Sequence, residues 1–270
     1  MANAMGIVQS PCKWLKIIYL GCEDFMQGLG YGANMCGRYF RRSDKQRIAE
    51  AFHLGVFEDL PLEVAPSYNI APTTNQPVIR NNRDTGEREM VAMRWGMVPN
   101  FAKSLADFKG FSTINAKAET LLSKPLWRVP FHRRRCLIPA DGFYEWKRLD
   151  EKTKQPYAFA LRSGEPFAFG GVWDAWKDPA TEDWLQSFSI ITTDPNELTA
   201  TVHDRMPVIL KPTDYDRWLD RTDAERPPVD LLRPYNAAEM TAYAVDPRVG
   251  NVRNDEPALC NIWQCPPNSS

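Results

Sequence analysis

Arg134-Arg135-Cys136-Leu137-Ile138-Pro139-Ala140-Asp141-Gly142-Phe143-Tyr144-Glu145-Trp146 holds two strand-like runs, 136–138 and 142–147, on either side of a Pro-Ala-Asp-Gly turn. A link that short cannot carry a parallel crossover, which needs a dozen residues or more. Further strand-like runs occur at 77–80, 89–96, 157–162, 166–173 and 187–193, and Ala242–Val245 reads as a last strand. Helical signals are fewer. Ser43-Asp44-Lys45-Gln46 has the form of a capping box ahead of a helix near 44–54. Residues 113–124 read as a strand end running into a helix, and short helices are expected at Asp214–Leu219 and Val229–Leu232. The proline-rich stretch 55–75 reads as extended loop. Strands outnumber helices and their links are short. The expectation is an α+β domain of mostly antiparallel, twisted, barrel-like sheet flanked by short helices.

Composition narrows the class. The 270 residues carry a net charge of −1 and no stretch approaching a membrane span. Six cysteines without regular spacing argue against a disulfide framework, so a reducing cytoplasm is the expected compartment. Cys260 and Cys265 make at most half a zinc site, so no metal ligand set and no cofactor is read. The small net charge hides an asymmetry, with twelve Lys/Arg against five Asp/Glu between Gln76 and Arg135. Such a segment suits either a cationic face for a polyanion or a solvated face paired with acidic neighbours. Phosphate-cradling, dinucleotide-binding, serine-hydrolase and zinc-protease signatures are missing.

Residues 1–34 read as a leader or an over-long start, because Met35-Cys36-Gly37-Arg38-Tyr39-Phe40 contains a possible initiator. Cys36 heading the chain would carry an α-amine and a thiol on adjacent carbons, a pair that condenses with aldehydes. The expected layout is an extension at 1–34, one domain at 35–258 and a tail at 259–270.

Three other residues stand out. On a strand, Glu145 shares a face with Phe143 and lies opposite Tyr144 and Trp146. A carboxyl among aromatics has either a raised pKa suited to proton transfer or a buried arginine partner. His203, in Thr201-Val202-His203-Asp204-Arg205-Met206-Pro207, falls between a predicted helix and a strand, as a site residue or a satisfied core histidine. Asn115 precedes a predicted helix, as its N-cap or as an amide that orients a reacting group. His53 reads as structural, and His132, in the basic segment, reads as a phosphate contact or as incidental.

In this order the segments MCGRYF (35–40), PSYNIAPTT (66–74), RWGMVP (94–99), INAKAET (114–120), RRCLIPADGFYEW (134–146), FAFGGVWD (167–174), SIITT (189–193), HDRMPVIL (203–210) and VGNVRN (249–254) resemble the SOS response-associated peptidase family. The resemblance spans Met35 to about Pro257. It implies a protein that crosslinks to abasic sites in single-stranded DNA through a thiazolidine on its N-terminal cysteine. By position, Cys36 is the implied nucleophile, with Asn115, Glu145 and His203 as its companions. Weak lyase activity and self-cleavage before Cys36 are further implications. For DNA contact the resemblance points to Arg38, Lys117 and Arg253 on phosphate, Asn100 and Phe101 near bases, and Thr192 on backbone. Phe101 as a simply packed aromatic stays open. Lys117 stands where arginine is common in the family, which replaces a forked contact by a point charge. The protein is expected to work as a monomer, at the nucleoid when on DNA. Two other classes share the Met-Cys-Gly start or the basic segment: an N-terminal-nucleophile amidohydrolase, and a noncatalytic module for modified DNA.

Overall fold

The computed structural model describes residues 36–55, 62–105 and 113–263. The extension at 1–34, Met35 and Cys265 lie outside the described residues. Strands are β1 (Arg38–Arg41), β2 (Ser67–Ile70), β3 (Asn75–Asn81), β4 (Arg88–Trp95), β5 (Asn115–Lys117), β6 (Arg135–Ala140), β7 (Gly142–Arg148), β8 (Lys154–Leu161), β9 (Phe167–Lys177), β10 (Trp184–Thr193), β11 (Met206–Pro207), β12 (Ile209–Leu210) and β13 (Met240–Ala244). The α-helices among the described residues are α1 (Lys45–Ala51), α2 (Pro125–Arg133) and α3 (Tyr215–Leu219). No helix among these residues is long and apolar enough to cross a membrane.

The strands form two sheets. One runs β13-β8-β7-β1-β2 and the other β11-β10-β4-β3-β6-β9-β12. In the second, β9 also pairs with β10 over Trp184–Ile190, which closes β10-β4-β3-β6-β9 into a five-stranded barrel. Closure leaves these strands without a free edge. Pairing is antiparallel except where β10 lies parallel to β4 and to β5. The fold is therefore α+β, with the mostly antiparallel, barrel-like sheet that the strand pattern implies.

The Pro139–Gly142 turn is not a hairpin. β6 pairs with β9 and β3 in the barrel, whereas β7 pairs with β1 and β8 in the other sheet, so the chain changes sheets at Asp141. The Asp141 carboxylate is buried and accepts from Arg42 N (2.8 Å), Ser43 N (2.9 Å) and Ser43 Oγ (2.9 Å). This overturns the capping-box reading: Asp44 caps α1 by accepting from Arg47 N at 2.9 Å, while Ser43 serves the corner. The strand end expected at 113–124 is present, but what it runs into is shorter than an α-helix. Asn115–Lys117 is a strand that passes into a 3-10 turn at Ala118–Thr120, and α2 begins at Pro125, where proline suits a helix start. The 55–75 stretch contains β2, paired with β1.

Alternation along the strands sorts the core. Tyr39, Phe143 and Phe159 of the smaller sheet pack with Val78, Ile138, Phe169 and Phe188 of the barrel. Neighbouring residues of opposite phase, Ile79 and Leu137, join Phe52, Trp127, Phe131 and Trp218 under the helices. Phe40 and Tyr144 face outward from the smaller sheet and are covered by Val249, Leu259 and Cys260. Residues 257–263 are thus laid on the domain, with Trp263 N donating to Ala244 O at 2.8 Å.

Gly142 is required where it stands. A Cβ there would lie 2.2 Å from Phe40 Cζ and 2.6 Å from Phe159 O. Gly142→Ala should destabilise the domain by at least about 1–3 kcal/mol, the usual range for overpacking. At roughly 2–4 °C per kcal/mol for a chain of this size, thermal unfolding would show a Tm lower by several degrees. An unchanged Tm would mean that the corner can relax.

Candidate active site

The site assembles where β1, β7, β5 and the segment before β11 meet. β1 pairs with β7 in the register Arg38↔Tyr144, Tyr39↔Phe143 and Phe40↔Gly142. Continued backward, that register sets Gly37 opposite Glu145, so Cys36 enters beside the carboxyl. Phe143 lies in the inner core and Tyr144 on the outer face, which directs Glu145 inward. β5 runs parallel to β10 with Asn115 opposite Ile190, and Asn115 Nδ2 donates to the Cys36 carbonyl at 2.8 Å. Asn115 is therefore no helix cap. His203 follows a 3-10 turn (Thr199–Thr201), with His203 N donating to Thr199 O at 2.9 Å.

These elements bring together three side chains of different chemistry. Cys36 Sγ, a Glu145 carboxylate oxygen and a His203 ring nitrogen lie within 4.8 Å of one another. His203 Nε2 is 3.8 Å from Glu145 Oε2, and His203 Nδ1 is 3.1 Å from the Arg205 carbonyl oxygen. Cys36 and Glu145 are each only 3% exposed. Burial pushes the Cys36 thiol well above its ordinary value, and the Glu145 carboxylate beside it pushes the same way. Glu145 itself is raised to about 7, chiefly by burial, with His203 and the Cys36 thiol pulling back. A carboxyl poised near neutrality is suited to both giving and taking a proton. The second reading from sequence, a buried arginine partner for Glu145, is not what surrounds it. Thiolate, imidazole and carboxylate are also donors that a metal ion accepts.

Cys36 opens into a cleft of about 210 Å³ lined by Thr113, Asn115, Lys117, Thr120, Lys124, Leu126, Trp127, Thr192 and Arg205. Lys117 and Thr192 thus sit in the cleft. Arg205, Lys124 and Trp127 were not singled out from sequence. Arg205 had a signal, since it lies two residues after His203 in HDRMPVIL. Its guanidinium is held by Glu119 (2.7 and 3.0 Å), Asp194 (3.1 Å) and Thr192 O (2.8 Å). Lys124 and Trp127 had none, because the start of α2 was not foreseen.

Other expected DNA contacts fall elsewhere. Arg38 is buried, and its guanidinium donates to Asn69 Oδ1 (2.7 Å), Val249 O (2.9 Å) and Gly250 O (3.2 Å), binding the 249–254 loop to β1. It is an internal clamp where a surface cation was expected. Arg253 is exposed on that same loop. Asn100 and Phe101 lie on a loop tied down by Trp176 Nε1 to Ala102 O (2.8 Å) and do not line the cleft. Phe101 is 76% exposed, so it is not a packed aromatic. His53 is exposed beyond α1, and His132 bonds the Ala224 carbonyl.

A cysteine at the head of a barrel-flanking strand, facing a buried glutamate and a half-buried histidine, places the protein in a defined class. Residues 35–252 match the family model described as SOS response associated peptidase (SRAP), and the chain belongs to that family. Among its relatives, "Abasic site processing protein YoqW" of Bacillus subtilis is 43% identical over 227 residues, covering 83% of this chain and 98% of that protein. "Abasic site processing protein HMCES" of Gallus gallus is 32% identical over 220 residues, covering 71% of this chain and 65% of that one. A crystal structure of a Bacteroides thetaiotaomicron protein shares the fold with a TM-score of 0.70 at 24% identity, covering 84% of this chain and all of the other. One from Bordetella bronchiseptica has a TM-score of 0.63 at 28% identity, covering 78% of this chain and all of the other.

The raised Glu145 pKa has a measurable sign. The folded protein keeps the Glu145 proton up to about pH 7, whereas the unfolded chain releases it near 4.5. The unfolded state therefore binds fewer protons in that window, and this group makes stability fall as pH rises from about 4.5 to about 7, levelling off above. Glu145→Gln removes the effect. In urea unfolding the variant should gain on the natural protein by something of order 3 kcal/mol between pH 4.5 and pH 8. A pH-independent difference would refute a buried, proton-holding carboxyl.

Proposed function

We propose that this protein captures abasic sites in single-stranded DNA by closing a thiazolidine between Cys36 and the ring-opened sugar. The observation that carries the reading is the convergence of Cys36, Glu145, His203 and Asn115 at the end of a cleft that also presents Lys117, Lys124 and Arg205. The relatives named abasic site processing proteins support the same substrate. Cations in the cleft suit the phosphates on either side of a missing base.

The order of steps follows from the electrostatics. A thiol held protonated by burial is a poor first nucleophile, so the α-amine of Cys36 attacks the C1′ aldehyde first. The carbinolamine loses water to an imine, with Glu145 supplying the proton that the leaving hydroxyl takes. The thiol then gives its proton to the Glu145 carboxylate as sulfur adds to the carbon of the protonated imine, which leaves a neutral ring N–H and restores the Glu145 acid. The balance is one aldehyde plus one aminothiol giving one thiazolidine and one water. His203 steadies the charge on Glu145 and the sugar hydroxyl. Asn115 holds Cys36 by its carbonyl in a near-attack pose. An imine that escapes ring closure is open to β-elimination, which would give a weak lyase side reaction. The same thiol, attacking the preceding carbonyl, would serve self-cleavage ahead of Cys36.

Denaturing gels with an abasic single strand test the assignment. Cys36→Ala should abolish the heat-stable adduct, and Glu145→Gln and His203→Ala should slow its formation by about 10²–10⁴-fold, the range for lost acid–base catalysis. Intact mass should equal protein plus DNA less one water. Full-rate capture by Cys36→Ala would remove the thiazolidine. A chain beginning at Cys36 should crosslink, and one carrying an uncleavable residue before Cys36 should not, because its nitrogen is an amide. Equal crosslinking by both would overturn the role of the amine.

A further inference from the structure

We propose that Cys36, Glu145 and His203 form a binding site for a soft divalent cation of the zinc and cadmium class, and that an ion seated there closes the site by holding its sulfur. The cation site stands without the DNA reading; only its inhibitory consequence rests on that reading. Thiolate, imidazole and carboxylate make up a donor set that zinc takes. Here they come from three separate parts of the chain: the residue pair before β1, β7, and the segment before β11. Tetrahedral zinc with bonds of about 2.0–2.3 Å puts neighbouring donors roughly 3.5 Å apart. The Glu145–His203 pair is already at 3.8 Å, and no pair in the trio exceeds 4.8 Å. Binding therefore asks for side-chain movements of about an ångström.

One further observation points to a cation, and the His203 ring can be arranged to receive it. Glu145 Oε1 is buried and has no hydrogen-bond partner. A carboxylate oxygen in that state is costly unless an electrophile satisfies it. His203 Nδ1 lies 3.1 Å from the Arg205 carbonyl oxygen, 3.1 Å from the Arg205 N–H, which can donate to it, and 3.5 Å from Asp204 Oδ1, so its surroundings accommodate either tautomer. In the tautomer that donates from Nδ1, the Nε2 lone pair faces Glu145 and Cys36. A ring N–H given to a backbone carbonyl or carboxylate is the outer support that metal-bound histidines have.

Binding is an exchange. Cys36 releases its thiol proton to solvent, a sulfur–metal bond forms, and waters leave the ion. The remaining position takes water or, when Cys36 heads the chain, its α-amine in a five-membered chelate. A sulfur so bound cannot add to an imine.

The test uses the full chain. Titration with Cd²⁺ should raise a thiolate-to-metal absorption band that saturates at one equivalent for this site. Cys36→Ser, which keeps the other cysteines, should lose that equivalent. Zn²⁺ should slow iodoacetamide alkylation of Cys36, followed by peptide mass, at least tenfold, with EDTA reversing it; His203→Ala should weaken the protection. An undiminished band in Cys36→Ser, or Cys36 alkylated equally with and without Zn²⁺, overturns the proposal. Crosslinking to the abasic strand is measured in parallel. Protection by Zn²⁺ with no capture of DNA would remove the DNA reading and leave the metal site. Capture unaffected by Zn²⁺, with no protection, would remove the metal site alone.

Discussion

The Asp141 carboxylate accepts from the backbone N–H groups of Arg42 and Ser43 and from the Ser43 hydroxyl, which ties the end of β1 to the corner between the two sheets. Hydrogen bonds to a charged group are worth about 1.5–3 kcal/mol each, so this junction is strong for its size. It also sets geometry. With Phe40 laid over Gly142, β1 has one register against β7, and that register brings Gly37 level with Glu145. A slip of one residue would turn Glu145's neighbours to the wrong face. The chemistry at Cys36 thus depends on a corner several residues away that touches none of the reacting groups.

Around Cys36 the protein keeps polar groups out of water without pairing them all. Asn115 Oδ1 and Glu145 Oε1 are both buried acceptors lacking a partner, and both belong to side chains beside Cys36. Two unfilled acceptors suit an ammonium or a metal ion better than they suit a neutral thiol. The cleft balances this with cations, and Arg205 is kept there by Glu119 and Asp194. Surface-type ion pairs of this kind contribute little to stability, so their use lies in aiming the guanidinium.

Much of this was legible in the residues. Strand phase alone placed Glu145 with Phe143, because period-two alternation survives in a sheet buried on both faces. The late helix expected at Asp214–Leu219 forms as α3 (Tyr215–Leu219), and the last strand expected at Ala242–Val245 forms as β13 (Met240–Ala244). What escaped detection depended on partners distant in the chain. Ser43 looks like a helix cap until Asp141 claims it. Asn115 looks like a cap until β10 takes it into a sheet. Arg38 looks like a surface cation until the 249–254 loop closes on it. α2 carries Pro130 within its length, a residue that local propensity sets against a helix, and its start supplies part of the cleft.

Asn115 grips Cys36 by its carbonyl, and the strand that follows fixes it from the same side. Among the described residues, these holds come from downstream of its nitrogen. Under the proposed mechanism, scission ahead of Cys36 would leave these partners where they stand, and a single peptide bond would act as the safety catch. Control of this kind would be chemical and irreversible, unlike the reversible motion of a lid.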